Sequence, residues 1–443
     1  MTMSENQSLL ANPYRPIEGD ALAATLAPFA GRQKAFEHLY QQLTDPASAG
    51  VSIILGRRDI GKTALLRHFN SYFDDTFVGV YLPLKNQNFG SESDWLNTLA
   101  LSTMQVLSQK DFSLYKLPKQ NAEDQDMRRW MLSQYLPEMF DIIKGRRLVW
   151  LLDDTGSLIK WAKAGKLPKD HFTYLDGLVK QFQNLGIVLA MDSRYELQIP
   201  VMSPLVNVTD VYRLTNLTTE ETRALVQQPI QNQFRVNDDA AAAIFAATAG
   251  QPRLVQRFGA ALYDYHQVTD TPRTVLGTED VKSVTGTVQQ QSEADFQKIW
   301  DETARNERLV LTALTRLMYA DPLTPVNTNA IATWLIESDF PLDLTTINAA
   351  VRGLEYDELI ESNKGNLGLR SSLMQIWLLQ HAELQTATTT TASSTPPRWG
   401  LIAAVVVLVL VILALAYIGS QQQSGGQSSG ITAQPTLTLI TNP

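Results

Sequence analysis

The chain is expected to fold as an α/β protein built on a five-stranded parallel sheet, and three observations lead there. Apolar runs at residues 51–55, 77–82, 148–152 and 185–191, with a fifth strand at 210–214, alternate with stretches of helical periodicity. Strands buried on both faces of a parallel sheet are continuous apolar runs of this kind. The first run leads directly into Gly56-Arg57-Arg58-Asp59-Ile60-Gly61-Lys62-Thr63, which fits G-x-x-x-x-G-K-[ST] and precedes the helix-forming Ala64-Leu65-Leu66-Arg67-His68-Phe69. The third run ends in two carboxylates, Asp153-Asp154.

Strand, eight-residue turn and helix together make a phosphate-binding P-loop. Its glycines let successive backbone N–H groups face phosphate oxygens, and the helix start adds partial positive charge. The expected nucleotide-binding residues are therefore Gly56, Arg57, Asp59, Ile60, Gly61, Lys62, Thr63 and Ala64. Lys62 would neutralise the β- and γ-phosphates, and Thr63 would ligate Mg²⁺. Ligands of parallel sheets gather at the C-terminal strand ends. Asp153 is thus the second expected Mg²⁺ ligand, directly or through water, and Asp154 the group that orients or deprotonates attacking water. Lys62, Asp153 and Asp154 form the expected catalytic set. The strand at 185–191 runs into Asp192-Ser193-Arg194, and its tip should lie beside Asp153. There Ser193 and Arg194 would either sense a γ-phosphate or form an ordinary polar turn.

Length and composition bound the rest. At 443 residues the chain can hold two to four domains, and its net charge of −8 argues against a general nucleic-acid binder. With no cysteine, disulfides and thiolate chemistry are excluded, and five histidines far apart in sequence give no metal-hydrolase pattern. The first residues lack the basic and apolar regions of a secretory signal. Near the other end, residues 399–417 are uncharged and apolar; at about 1.5 Å per residue they span about 29 Å, close to a bilayer core of about 30 Å. Thr/Ser/Pro-rich and Gln/Ser/Gly-rich flanks could not build a core around them. The expectation is a single-pass membrane protein with its N-terminal part in the cytoplasm.

Domain organisation is read as an irregular lead-in over 1–28, the P-loop domain over 29–215, a helical lid over 216–270 and a helical connector over 271–304. A third unit covers 305–383, followed by a linker over 384–398, a transmembrane helix over 399–419 and a polar tail over 420–443. In the lid, Thr218 or Thr219 caps one helix, Asp238-Asp239 opens the next, and Pro252 stands at an early position of the third. Residues 305–383 read as three helices and a hairpin around Asn363-Lys364-Gly365-Asn366, the pattern of a winged helix. Six Lys/Arg against ten Asp/Glu give this unit a net charge of −4, and its third helix offers only Arg352 to DNA. Contact with a protein partner or packing against the ATPase is expected there, with DNA the disfavoured alternative.

Phe29-Ala30-Gly31-Arg32, the P-loop, Asp153-Asp154, the strand ending in Ser193-Arg194 and Gly250-Gln251-Pro252 together resemble the STAND signalling ATPases, and through them the wider AAA+ group of origin-recognition and archaeal ATPases. The resemblance covers about residues 12 to 383. It implies ATP with Mg²⁺ as ligands, a Gly-x-Pro lid segment that contacts nucleotide through Pro252, and Arg253 and Arg194 as sensors of the γ-phosphate; Arg32 enters the nucleotide set with its motif. Relatives carry a winged helix at the matching place, and some assemble as homo-oligomers. This chain departs from the AAA+ pattern in having Asp154 where a glutamate is usual, and no arginine finger can be assigned. The fold expected is thus an AAA+/STAND-like P-loop NTPase with helical lid, winged-helix domain and one C-terminal transmembrane helix. The function expected is a membrane-tethered, ATP-hydrolysing regulatory switch. The alternatives are a nucleotide-regulated scaffold with little hydrolysis, or a membrane-associated DNA-binding ATPase.

Overall fold

The computed structural model describes residues 12–15, 29–46, 48, 50–73, 76–118, 126–206, 211–268 and 274–382. Helix α1 (Gln33–Thr44) leads into strand β1 (Val51–Gly56), and the P-loop connects β1 to α2 (Lys62–Arg67) and α3 (Phe69–Phe73). Strand β2 (Phe77–Pro83) is followed by α4 (Glu92–Gln109), then by α5 (Met127–Trp130) and α6 (Leu136–Ile143), joined through a π-helical turn at Met131–Tyr135. Strand β3 (Arg147–Asp153), α7 (Gly156–Lys163), α8 (His171–Gln181), β4 (Leu185–Asp192), a 3₁₀ segment (Ser193–Met202) and β5 (Val211–Arg213) complete the domain.

All five strands are parallel, in the order β2-β3-β4-β1-β5. Alternation along each strand divides the core in two. Ile53, Leu55, Leu148, Trp150, Leu152, Ile187 and Leu189 pack with α4 to α8 on one face. Ile54, Val149, Leu151, Val188 and Ala190 pack with α1 to α3 on the other. Both faces being covered, the strand interiors are mostly apolar, Ser52 of β1 being buried against His38, and this made them legible as apolar runs. The strand order also sets the C-terminal ends of β1, β4 and β3 side by side, so the P-loop, Asp192 and Asp153 meet at one edge.

The lid is three helices, α9 (Thr219–Gln227), α10 (Asp238–Thr248) and α11 (Pro252–Val268). Thr218 caps α9 in a reciprocal capping box with Glu221, and Asn237, one residue ahead of the predicted aspartates, caps α10. Gly250 turns the chain into α11 at φ 71°; a Cβ there would stand 2.1 Å from the Leu217 carbonyl oxygen, so only glycine allows this approach. The two-residue strands β6 (Arg235–Val236) and β7 (Val275–Leu276) pair beside the lid, and the 25-residue helix α12 (Thr278–Glu302) packs along α11.

Helix α12 leads into α13 (Arg305–Ala320), α14 (Thr328–Glu337) and α15 (Leu344–Tyr356), the hairpin β8 (Ile360–Asn363) and β9 (Asn366–Leu369), and α16 (Ser372–His381). The hairpin turns on Lys364 and Gly365, both at positive φ, and Val326 adds a bridge to Leu367. This unit grips the P-loop domain and the lid. Glu358 accepts a 2.7 Å hydrogen bond from the Asn216 N–H, Ser371 Oγ donates to the Ala247 carbonyl at 2.6 Å, and the Arg213 guanidinium lies 4.0 Å from the Tyr356 ring centre.

The described residues all belong to one compact unit that ends at Ala382, and residues 383–443 lie wholly outside them. The expected membrane location is corrected here: among the described residues no helix is long and apolar enough to cross a membrane. The longest, α12, carries charged residues along its length, including Asp295, Lys298 and Glu302. The apolar run at 399–419 that carried the expectation, the linker at 384–398 and the tail at 420–443 all fall outside the described residues, as does most of the lead-in.

Candidate nucleotide site

The P-loop is a turn between a buried strand end and a helix start. Gly61 sits at φ 99° as the residue before α2, and Asp59 at φ 59° bends the loop tip. Lys62, first residue of α2, folds back over the loop: its Nζ donates to the carbonyls of Gly56 at 2.8 Å and Arg57 at 2.6 Å. Burial holds its ammonium below the ordinary lysine range, although the charges of Asp192, Asp153, Asp59 and Asp154 pull the other way. This partly buried ammonium has two neutral carbonyls as its hydrogen-bond partners, and an anionic acceptor would form a stronger bond with it.

Thr63 Oγ1 donates to Asp153 Oδ2 at 2.7 Å, joining the helix start to the end of β3. Tyr81 on β2 donates to the same oxygen at 2.9 Å, and the Asp154 N–H to the other at 3.0 Å. A hydroxyl and a carboxylate oxygen in contact are hard donors of the kind Mg²⁺ takes. Asp154 turns out of the strand at φ 58° and lines the same cleft. Beside it, Asp192 accepts from the Arg194 N–H at 3.0 Å and from its Nε at 2.9 Å.

These groups line a cleft of about 590 Å³, within the size of small-molecule sites. It brings together Arg32, Asp59, Ile60, Gly61, Lys62, Thr63 and Ala64 with Asp153, Asp154, Arg194, Pro252 and Arg253. Gly56, Arg57 and Ser193 do not line it. A Cβ on Gly56 would meet the Leu214 carbonyl at 2.9 Å, so this glycine serves strand packing. Arg57 and Ser193 border a smaller cleft behind the loop, shared with Asp357 and Leu359. The Arg32 guanidinium is spent on main chain, donating to the carbonyls of Thr215 at 2.7 Å and Ile60 at 2.8 Å. Arg32 thus braces the loop from the hinge of the lid, and its N–H donates to Glu221 of the α9 capping box at 2.7 Å.

Several lining groups were not among the expected site residues. Phe29, Leu217 and Leu225 are apolar lining residues of the cleft, and Lys85, Lys160 and Tyr195 line it as well. Helix α12 adds a charged ladder beside it. Arg253 lies 3.4 Å from Asp59 and 3.5 Å from Asp295, Lys298 3.7 Å from Asp59, and Arg194 3.8 Å from Glu302.

No protein-family model and no curated protein sequence matches the chain. Among solved structures it is similar to a Walker-type ATPase of Pyrococcus abyssi, at 13% identity over 79% of this chain and 96% of that one, with a TM-score of 0.53. Cdc6p from Pyrobaculum aerophilum aligns at 13% identity over 80% of this chain and 95% of that one, and the RuvB Holliday junction branch migration motor of Thermotoga maritima at 13% over 80% and 96%. Their TM-scores of 0.38 are too low to carry any argument. At such identity the first likeness bears on the fold alone, and with the parallel sheet and the P-loop it defines an α/β P-loop NTPase fold.

Proposed function

We propose that the cleft binds ATP with Mg²⁺ and hydrolyses it as the input of a regulatory switch of AAA+/STAND-like type. One observation carries this reading: Lys62, Thr63 and Asp153 converge from two elements at one point, with Thr63 and Asp153 in 2.7 Å contact. The base would lie against Phe29, Leu217, Leu225 and Pro252, and the phosphates along the N–H groups from Asp59 to Ala64. Thr63 and Asp153 would hold Mg²⁺, which when bound supplies charge neutralisation across the phosphates. Lys62 exchanges its carbonyl partners for phosphate oxygens. Asp154 orients the attacking water and takes its proton as the new P–O bond forms and the bond to the leaving ADP breaks. The switch reading is supported by the contacts of Asn216 and Ala247 with residues 305–382, which tie the lid and its hinge to that unit.

For residues 305–382 we propose a winged-helix module that contacts protein. Three of its six cations are already engaged: Arg370 pairs with Glu358, Arg308 stacks over Trp300, and Arg316 bonds the Ala382 carbonyl. With Arg370 neutralised by Glu358 and acidic residues in excess over basic ones, the unit offers little net positive charge to a phosphate backbone. The test of the nucleotide reading is radiolabelled ATP binding and turnover by the full chain, beside Lys62→Ala. Wild type should bind and release phosphate, and the variant should bind at least about a hundredfold more weakly, since it loses a buried charge-assisted contact. No binding by the wild type would sink the reading.

A further inference from the structure

Two arginines that line the cleft, Arg194 and Arg253, each stand between a carboxylate of the P-loop domain, Asp192 and Asp59 respectively, and a second carboxylate on helix α12. Asp295, Lys298 and Glu302 recur at helical spacing, so they share one face of α12. Asp295 lies 3.5 Å from Arg253 Nε and 2.5 Å from Arg257 Nη1, and its side chain is only 12% exposed. Glu302 Oε1 stands 3.8 Å from Arg194 and 3.9 Å from Arg58. Lys298 and Arg253 meanwhile clasp Asp59 at the P-loop tip. One helical face therefore engages both the loop and the two arginines, and that helix runs directly into α13.

Resting on the nucleotide reading above, we infer that Asp295 and Glu302 are in-chain competitors of the terminal phosphate of ATP, and that they set the discrimination between ATP and ADP. A terminal phosphate brings more charge and more acceptor oxygens than a carboxylate. The contacts of Glu302 with Arg194 at 3.8 Å and of Asp295 with Arg253 at 3.5 Å are long, and both arginines are about half exposed, so these α12 contacts are weak enough to be exchanged while Asp192 keeps its hold on Arg194. ATP takes the two arginines and frees the α12 face; ADP has no group to reach them and leaves α12 in place. A ligand moves such an equilibrium only by its differential contacts, and here the difference is one phosphate.

The experiment measures ATP and ADP affinities of the full chain for wild type, Glu302→Gln and the double variant Asp295→Asn/Glu302→Gln, with hydrogen exchange of α12 in each nucleotide state. Removing the competitors should tighten ATP about two- to fivefold per site and leave ADP within about twofold. In the wild type, ATP but not ADP should speed exchange at residues 295–302. Glu302→Gln alone keeps the test sound if loss of Asp295, which also holds Arg257, weakens folding. Equal shifts for both nucleotides, or an unchanged ATP/ADP ratio, would overturn the inference while leaving nucleotide binding intact. A wild type that binds neither nucleotide would instead overturn the reading on which it rests.

Discussion

Asp153 and Asp192 end neighbouring strands of one sheet and are equally enclosed, each 9% exposed, yet their partners differ in kind. Asp153 accepts from a threonine hydroxyl, a tyrosine hydroxyl and a main-chain N–H, all neutral. Among the described residues no cation forms an ion pair with it, whereas Asp192 is neutralised by Arg194 through both Nε and Nη2. A carboxylate held by neutral donors keeps its charge available for an incoming cation; one paired with an arginine has spent it. Burial is thus offset at Asp192 by an opposite charge and at Asp153 by three neutral hydrogen-bond donors.

The strongest way to break this contrast is Asp153→Asn. Turnover should fall at least about a hundredfold and lose its Mg²⁺ dependence, while nucleotide binding without metal stays within about threefold. Metal-dependent turnover surviving in that variant would remove Asp153 as the cation anchor. Asp192→Asn should act more mildly, lowering turnover about tenfold by loosening Arg194 while Mg²⁺ titrations keep their midpoint. A shifted Mg²⁺ midpoint would mean that the two carboxylates share one role.

Smaller effects sharpen the comparison. Tyr81→Phe deletes one neutral donor to Asp153 and should shift Mg²⁺ affinity by about two- to fivefold, the worth of a single hydrogen bond of about 0.5–1 kcal/mol. Acid unfolding separates the residues by charge. Burial pushes the Asp192 carboxyl up, but hydrogen bonds from Arg194, its charge and that of Lys62 outweigh this and hold it below the usual carboxylate range. Its folded value lying below the unfolded one of about 3.9, Asp192 contributes stability above that pH and loses it as pH falls through the folded value. Denaturant titrations of wild type and Asp192→Asn should therefore differ by a constant amount, on the order of 1 kcal/mol, from pH 7 to 5 and converge below about pH 4. A gap that widened in acid would reverse the sign and refute the pairing.

The sheet was readable because its strands needed no polar face, and the P-loop because a phosphate cradle imposes its glycines and lysine locally. Helices α7 and α8 were not read. Each is short, and α8 buries His171 and Asp176 among its apolar residues, which blurs the periodicity. Arg57 and Arg32 show a different limit. Both stand inside or beside nucleotide motifs, yet one side chain borders the cleft behind the loop and the other is consumed by two carbonyls. A motif fixes where the main chain goes and leaves open which way an arginine on it turns. Tyr81, Asp295 and Glu302 carried no signal at all, because their partners lie up to hundreds of residues away and share no pattern with them.

The bond from Asn216 to Glu358 joins the turn between β5 and the lid to the far end of the described chain. On the switch reading proposed above, an occupant of the cleft that moved the lid about this turn would also work on residues 305–382 through that bond. Thermodynamic linkage would then run both ways: whatever seizes those residues would alter nucleotide affinity by the same factor that nucleotide alters its own. A binder of the distal unit could therefore be recognised, before it is identified, by the change it makes in an ATP titration.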